Sequence, residues 1–368
     1  MNHHVPSRHR RALLAALTTV TLALAGCSSW DGRETTTDSS NSDLISEIQG
    51  SGKDVNPREL RGVSTVGALD EVKPVADNPE PQLPVELTDN DGNDVKVEDT
   101  SRIVALDIYG TYTETLRGLG LGENIVGRSS SSTEASLQDL PVVTQSGHDI
   151  NEEAVLSLEP TLIVVDHSIG PAGAIDQLRD SGVPTVVMSP DRSPEKLGES
   201  IRNLAGVVGL PDEGDTLAQQ STDEYDEAIR TIKEIAPERP LKMAFLYARG
   251  EGGVFYVLGK EASTDDLISA LGGKDVATDN RIGAPSPANA EALAKLNPDV
   301  FVMMSHGLES AGQLQGLLTR PGVAQTTAGK NQRILALPDG DSLAFGPQTG
   351  EMLLRAAHAL YQENGELM

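Results

Sequence analysis

Tyr247 and Arg249 stand two residues apart at the end of an apolar run, Leu241-Lys-Met-Ala-Phe-Leu-Tyr247-Ala-Arg249, followed by a glycine-rich stretch and a second apolar run to Leu258. Pro240 and the glycines bound these runs, which favours two strands over a helix. Alternate side chains of a strand share a face, so the phenol and the guanidinium can point the same way. A nearby cation stabilises a phenolate. Tyr247 is therefore a candidate oxygen donor to a hard, oxidised metal such as ferric iron. The same pair also reads as a half-buried packing tyrosine beside a surface charge, and local sequence leaves both readings open.

Four histidines lie beyond the leader segment described below: His148, His167, His306 and His358. His148 follows Ser146-Gly147. His167 and His306 each follow an apolar run. His358 falls in a C-terminal helical stretch, Gly350 to Leu360, where packing or exposure explains it. Tyr109 is the alternative to Tyr247 as a donor. The chain has no Gly-x-Ser-x-Gly nucleophile elbow and no cluster of metal-binding carboxylates, so nothing in it supports an enzyme. A secreted α/β hydrolase is the reading of another class, and no motif carries it.

The elements that must position these groups alternate in type. Arg102–Tyr109, Thr161–Val165 and Pro184–Met188 read as buried strands. Thr113–Leu119, Glu152–Leu158, Pro171–Ser181 and Pro194–Val208 read as helices, with Asn151 as an N-cap. This order means βαβ units and a mainly parallel sheet. The second half repeats it. Asn151-Glu-Glu-Ala-Val-Leu-Ser-Leu-Glu-Pro-Thr-Leu-Ile-Val-Val165 aligns without a gap to Asn289-Ala-Glu-Ala-Leu-Ala-Lys-Leu-Asn-Pro-Asp-Val-Phe-Val-Met303, at an offset of 138. The same offset sets Tyr109 opposite Tyr247. The expectation is two related α/β lobes, residues 83–210 and 239–368. Between them, residues 211–238 show helical spacing and predict one long connecting helix. Such a rod would leave a largely preformed cleft. In open α/β sheets ligands bind beyond the carboxyl ends of the strands. Tyr109, Gly147-His148, Asp166-His167, Tyr247-Arg249 and Ser305-His306 all fall at such ends.

The first 26 residues read as a targeting segment. Arg8, Arg10 and Arg11 precede an apolar stretch, Ala12 to Ala25, that is too short to span a bilayer. It ends Leu24-Ala25-Gly26-Cys27, which looks like a bacterial lipoprotein cleavage box. Cys27 is the only cysteine, so no intrachain disulfide is possible and lipid attachment is its expected role. Cleavage would leave 26 basic against 55 acidic residues, a formal charge of −29. That argues against nucleic acid and anionic lipid as partners of the general surface. Residues 27–82 are rich in Ser, Thr, Asp, Asn and Pro, and are expected to form a lipidated, mostly disordered tether. Asn90-Asp-Gly-Asn, between Leu83–Asp89 and Val95–Glu98, signals a hairpin.

Leader, tether, two lobes and one connecting helix together resemble the substrate-binding lipoproteins of ABC importers, in the rigid-helix class that handles haem, ferric siderophores, cobalamin and some metal ions. Within that class, Ser146-Gly-His148 and Phe245-Leu-Tyr247-Ala-Arg249-Gly resemble the haem receptors of the HmuT type. The resemblance implies His148 and Tyr247 as axial ligands of ferric b-type haem, one from each lobe, and Arg249 as hydrogen-bond partner of the phenolate. It implies an extracytoplasmic, lipid-anchored monomer that passes haem to an ABC permease. It also implies one docking glutamate per lobe, which the repeat assigns to Glu153 and Glu291. Arg128, Arg281 and Arg333 are candidate partners for the haem propionates. A ferric siderophore is the alternative ligand. It would want several arginines and aromatic walls, and the only tryptophan, Trp30, lies in the tether.

Overall fold

The computed structural model describes residues 39–50, 55–145, 147–250, 253–362 and 364–365. The cleavage box, Cys27 and Ser146 lie outside the described residues.

A helix, α1 (Ser39–Gly50), and a short strand, β1 (Val63–Thr65), come first. The first lobe opens with the hairpin β2 (Val85–Thr88) and β3 (Asp94–Val97). It continues through β4 (Ile103–Leu106), α2 (Thr111–Gly118), β5 (Ile125–Arg128), β6 (Thr144–Gln145), β7 (Asp149–Ile150), α3 (Glu152–Ser157), β8 (Leu162–Val165), α4 (Ala172–Asp180), β9 (Thr185–Val187) and α5 (Leu197–Val207). Its sheet is parallel throughout, in the order β5-β4-β8-β9. Every residue of β4 and β8 is buried, because helices cover both faces of the sheet.

The connector α6 (Pro211–Ile235) has Pro211 in its first turn, where a missing N–H costs nothing. At 1.5 Å per residue it spans about 37 Å. The second lobe holds β10 (Lys242–Arg249), β11 (Val254–Val257), α7 (Thr264–Ala270), β12 (Lys274–Asp275), α8 (Val276–Asp279), β13 (Ser286–Pro287), α9 (Ala290–Leu296), β14 (Val300–Met304), α10 (Ser305–Ser310), α11 (Gln313–Thr319), α12 (Thr327–Asn331), β15 (Ile334–Leu337) and α13 (Thr349–Tyr361). Its sheet runs β1-β15-β14-β10-β11-β13, with β12 also on β10. β11 pairs antiparallel with both β10 and β13, and the other pairings are parallel.

The repeat is visible in the backbone. The Asn151 side chain caps α3 by accepting from the Ala154 N–H, and Asn289 caps α9 by accepting from Ala292. Glu159 and Asn297, 138 apart, both turn into the left-handed region before a proline and the next strand.

The tether expected over residues 27–82 is corrected for its described part. Ile45 and Ile48 of α1 are buried in one core with Ile232 of α6 and Leu353 of α13. Gln362 donates to the Ile48 carbonyl at 2.7 Å. β1 pairs with β15 and completes the second lobe's sheet. Residues 67–82 then reach the first lobe, where Val75 N–H donates to the Gly118 carbonyl and Gln82 N–H to that of Gly209. The polar composition hid this because few apolar residues do the burying, and those of α1 and β1 meet partners over 180 residues away.

Candidate functional site

Three structural features aim side chains into the space between the lobes. The first is the β10–β11 ladder. Tyr247 is opposite Tyr256 and Arg249 opposite Val254. Residues two apart share a face, so these four form one wall. β10 continues to Arg249 because β11 pairs with its final residues. The second is the tight β6–β7 hairpin, which carries His148 at its tip. Gly147 there has φ +88°, a conformation costly for residues with a Cβ. Ser130 Oγ donates to the Gly147 carbonyl at 2.9 Å and pins the tip. The third is the set of loops beyond β4, β14 and β15, which bring Tyr109, His306 and Asp339.

Together these enclose a cleft of about 640 Å³. His148 faces it from the first lobe, and Tyr247 and Arg249 from the second. Ile108, Val254, Leu258, Met304 and Leu343 give it an apolar lining, and Ser130, Ser131 and Thr133 add hydroxyls. The His148 side chain is 59% exposed, open to a ligand.

Arg249 does not take the partner expected of it. Its guanidinium stands over the Tyr247 ring face, 5.0 Å from the centroid. Its hydrogen bonds go to Asp339 Oδ1 at 2.7 Å, the Ala248 carbonyl at 3.2 Å and Met304 Sδ at 3.5 Å. The link to Tyr247 is a cation–π contact.

Of the other candidates, Tyr109 and His306 line the cleft. Burial pushes the Tyr109 phenol up, and the Arg192 guanidinium only partly offsets this. A phenol whose charged form is disfavoured by burial is a poor anionic donor. His167 is not in the cleft. It pairs with Asp91 at 2.7 Å, and that hydrogen bond is the main cause of Asp91's lowered pKa. His358 lies on α13 and meets Gln362 at 2.7 Å. None of the three candidate propionate arginines lines the cleft. Arg333 is only 2% exposed and is spent on Ser64 and on the carbonyls of Ala359 and Leu360. Arg128 donates to Ser132 and Gln138. Arg281 is exposed.

Sequence reasoning missed two networks. Asp339, two residues past β15, obeys the strand-end rule that flagged His306 and could have been found by it. Arg192 is held 2.8 Å from Asp107 and 2.9 Å from Asp166, and both aspartates are fully buried. Tyr112 donates to Asp166 at 2.7 Å. Burial works against the Arg192 charge, but Asp107 and Asp166 outweigh it and its pKa lies above the ordinary value. Arg192 also stacks over the rings of Tyr109 and Tyr112. It braces one side of the cleft.

Residues 103–340 match the periplasmic binding protein family. The solved haem-binding protein HmuT is 60% identical, with a TM-score of 0.83, covering 84% of this chain and 100% of its own. The chain belongs to the periplasmic binding protein family. Among other members, the haem-binding protein RhuT from Roseiflexus sp. RS-1 is 35% identical with a TM-score of 0.67, covering 72% of this chain and 98% of its own. The vitamin B12-binding protein of Yersinia pestis (strain Pestoides F) is 25% identical over 203 residues, 55% of this chain and 69% of that protein. As in other periplasmic binding proteins, the cleft between the lobes is where a ligand is expected. Among the described residues no helix is long and apolar enough to cross a membrane.

Proposed function

We propose that this periplasmic binding protein captures ferric b-type haem between His148 and Tyr247 and delivers it to an ABC permease, without catalysing a reaction. The observation that carries the reading is the placement of an imidazole and a phenol on opposite lobes across an apolar cleft of about 640 Å³. Ferric iron is hard and favours an anionic oxygen, and a neutral imidazole completes its axial pair. The apolar walls suit the macrocycle. HmuT supports the assignment further: it has been solved as alanine variants of a histidine, a tyrosine and an arginine spaced as His148, Tyr247 and Arg249 are here. Arg249 lies in the cleft wall with its guanidinium against the Tyr247 ring.

The lobes are joined by α6 and held by direct contacts. Thr111 Oγ1 donates to the Ala344 carbonyl at 2.9 Å and Ser263 Oγ to that of Arg192 at 3.0 Å. Haem therefore enters a nearly finished site, and release requires the permease to part the lobes. Glu153 and Glu291, both exposed at equivalent positions of α3 and α9, are the docking charges, one per lobe. Lipid on Cys27 would hold the receptor, as a monomer, at the extracytoplasmic face of the membrane. A siderophore fits less well. Among the described lining residues Arg249 is the one arginine, and it is already paired with Asp339.

Adding ferric haem to the purified protein tests the proposal. A saturable, one-to-one change to a His/Tyr-ligated ferric spectrum is expected. Free-haem absorbance that persists at saturating protein would overturn it.

A further inference from the structure

Arg249 has a long, flexible side chain, yet its guanidinium stands over the Tyr247 ring. Four features hold it there. Asp339 Oδ1 accepts from Arg249 Nη2 at 2.7 Å. The other oxygen, Oδ2, accepts from the His306 backbone N–H at 3.0 Å, and His306 Nδ1 lies 3.5 Å from it. The carboxylate is thus fixed to the first turn of α10 while it grips the guanidinium. Its side chain is only 13% exposed, so water competes weakly. Gly307, the next residue of α10, leaves room for the arginine: a Cβ there would sit 3.2 Å from Arg249 Nη1.

We propose that Asp339 is a positioning residue for ligand binding, clamping Arg249 against Tyr247 and tying both to α10. This rests on the haem reading above. The clamp joins the ends of three strands, β10, β14 and β15, so the donor pair is set by the sheet and not by a mobile loop. Such outer groups around a metal-binding donor typically change affinity 10–100-fold. Asp339 acts through Arg249, so its removal should matter only while the arginine is present. Neighbouring groups that act through one another are not additive.

The test is a double-mutant cycle read by ferric-haem titration and by the tyrosinate–iron signature in the resonance Raman spectrum. Asp339→Asn should weaken haem binding about 10-fold and shift the tyrosinate–iron bands toward those of Arg249→Ala. Asp339→Glu should restore part of both. In the Arg249→Ala background, Asp339→Asn should add nothing further. An equal loss of affinity in both backgrounds would overturn the proposal and leave Asp339 as a support for α10 alone. Wild-type affinity and unchanged bands in Asp339→Asn would overturn it too. Failure of the haem reading is separate and visible first, as absence of binding by the wild-type protein.

Discussion

Glu114, on α2 of the first lobe, accepts a hydrogen bond from the Gln348 backbone N–H of the second lobe at 2.7 Å. The approach is close. A Cβ on Gly346 would lie 2.2 Å from Glu114 Oε2. Burial, and next the neighbouring Asp341 carboxylate, push the Glu114 carboxyl well above its usual range. Glu114 therefore bridges the lobes from a site where burial disfavours its charged form. Glu114→Gln should keep the bridge and hold stability near wild type at pH 7. Glu114→Ala leaves the Gln348 N–H unpaired and should cost about 1–3 kcal/mol. Chemical denaturation of both variants at pH 7 checks this. Equal stabilities would remove the bridge from the account.

Asp341 sets a pH dependence. Burial first, and then the charge of Glu351, raise its carboxyl from 3.8 to about 6. A raised folded pKa means that its contribution is fully present below the unfolded value and is lost as pH rises through the folded one. Stability should therefore decline from about pH 4 to about pH 6, by about 3 kcal/mol at most from this group. Asp341→Asn should flatten that decline. Denaturation midpoints across this range, wild type against variant, give the answer, and parallel curves would contradict it.

Asp107 and Asp166 offset the cost of burying the Arg192 charge. Arg192→Met would strand two buried carboxylates, at a cost of about 3–5 kcal/mol. The thermal midpoint should fall by several degrees or more, and haem binding should weaken as Tyr109 and Tyr112 lose their brace. A midpoint within a degree of wild type would mean the network relaxes without cost.

Much of the fold can be read from local patterns. The gap-free repeat places α3–β8 and α9–β14 in register, down to the two asparagine caps, and α6 follows from one uninterrupted helical spacing. His148, Tyr247 and Arg249 lie on the cleft because strand ends and a glycine-marked turn are local features too. What escaped depends on distant partners. α1 and β1 look like tether because their few apolar residues bury only against α6, α13 and β15. Glu114, Asp341 and Arg192 look like solvated charges, since nothing nearby in sequence shows that the lobes close over them. Asp339 and Arg249 are 90 residues apart, and only the parallel order of β10, β14 and β15 brings them together.

Glu153 and Glu291, the proposed docking residues, do not line the cleft. Glu153→Ala with Glu291→Ala should leave haem affinity at the wild-type value and stop haem-dependent growth. Such charges act on encounter and register more than on raw affinity. Growth at the wild-type rate, at matched protein levels, would take both residues off the docking surface.

The proposed ligands rank by chemistry. Tyr247→Ala removes the anionic donor and should lose more affinity than His148→Ala, while Arg249→Ala should lose on the order of 10–100-fold. Dissociation constants from titrations at one pH provide the comparison. Tyr247→Ala binding like wild type while Tyr109→Ala does not would move the donor to the other lobe.

The most direct measurement is a crystal structure of the haem-saturated protein. Iron should be bonded on one side to a ring nitrogen of His148 and on the other to Tyr247 Oη, with Arg249 against the Tyr247 ring and still paired with Asp339. Iron held by Tyr109 or His306, with His148 and Tyr247 both unbound, would contradict it.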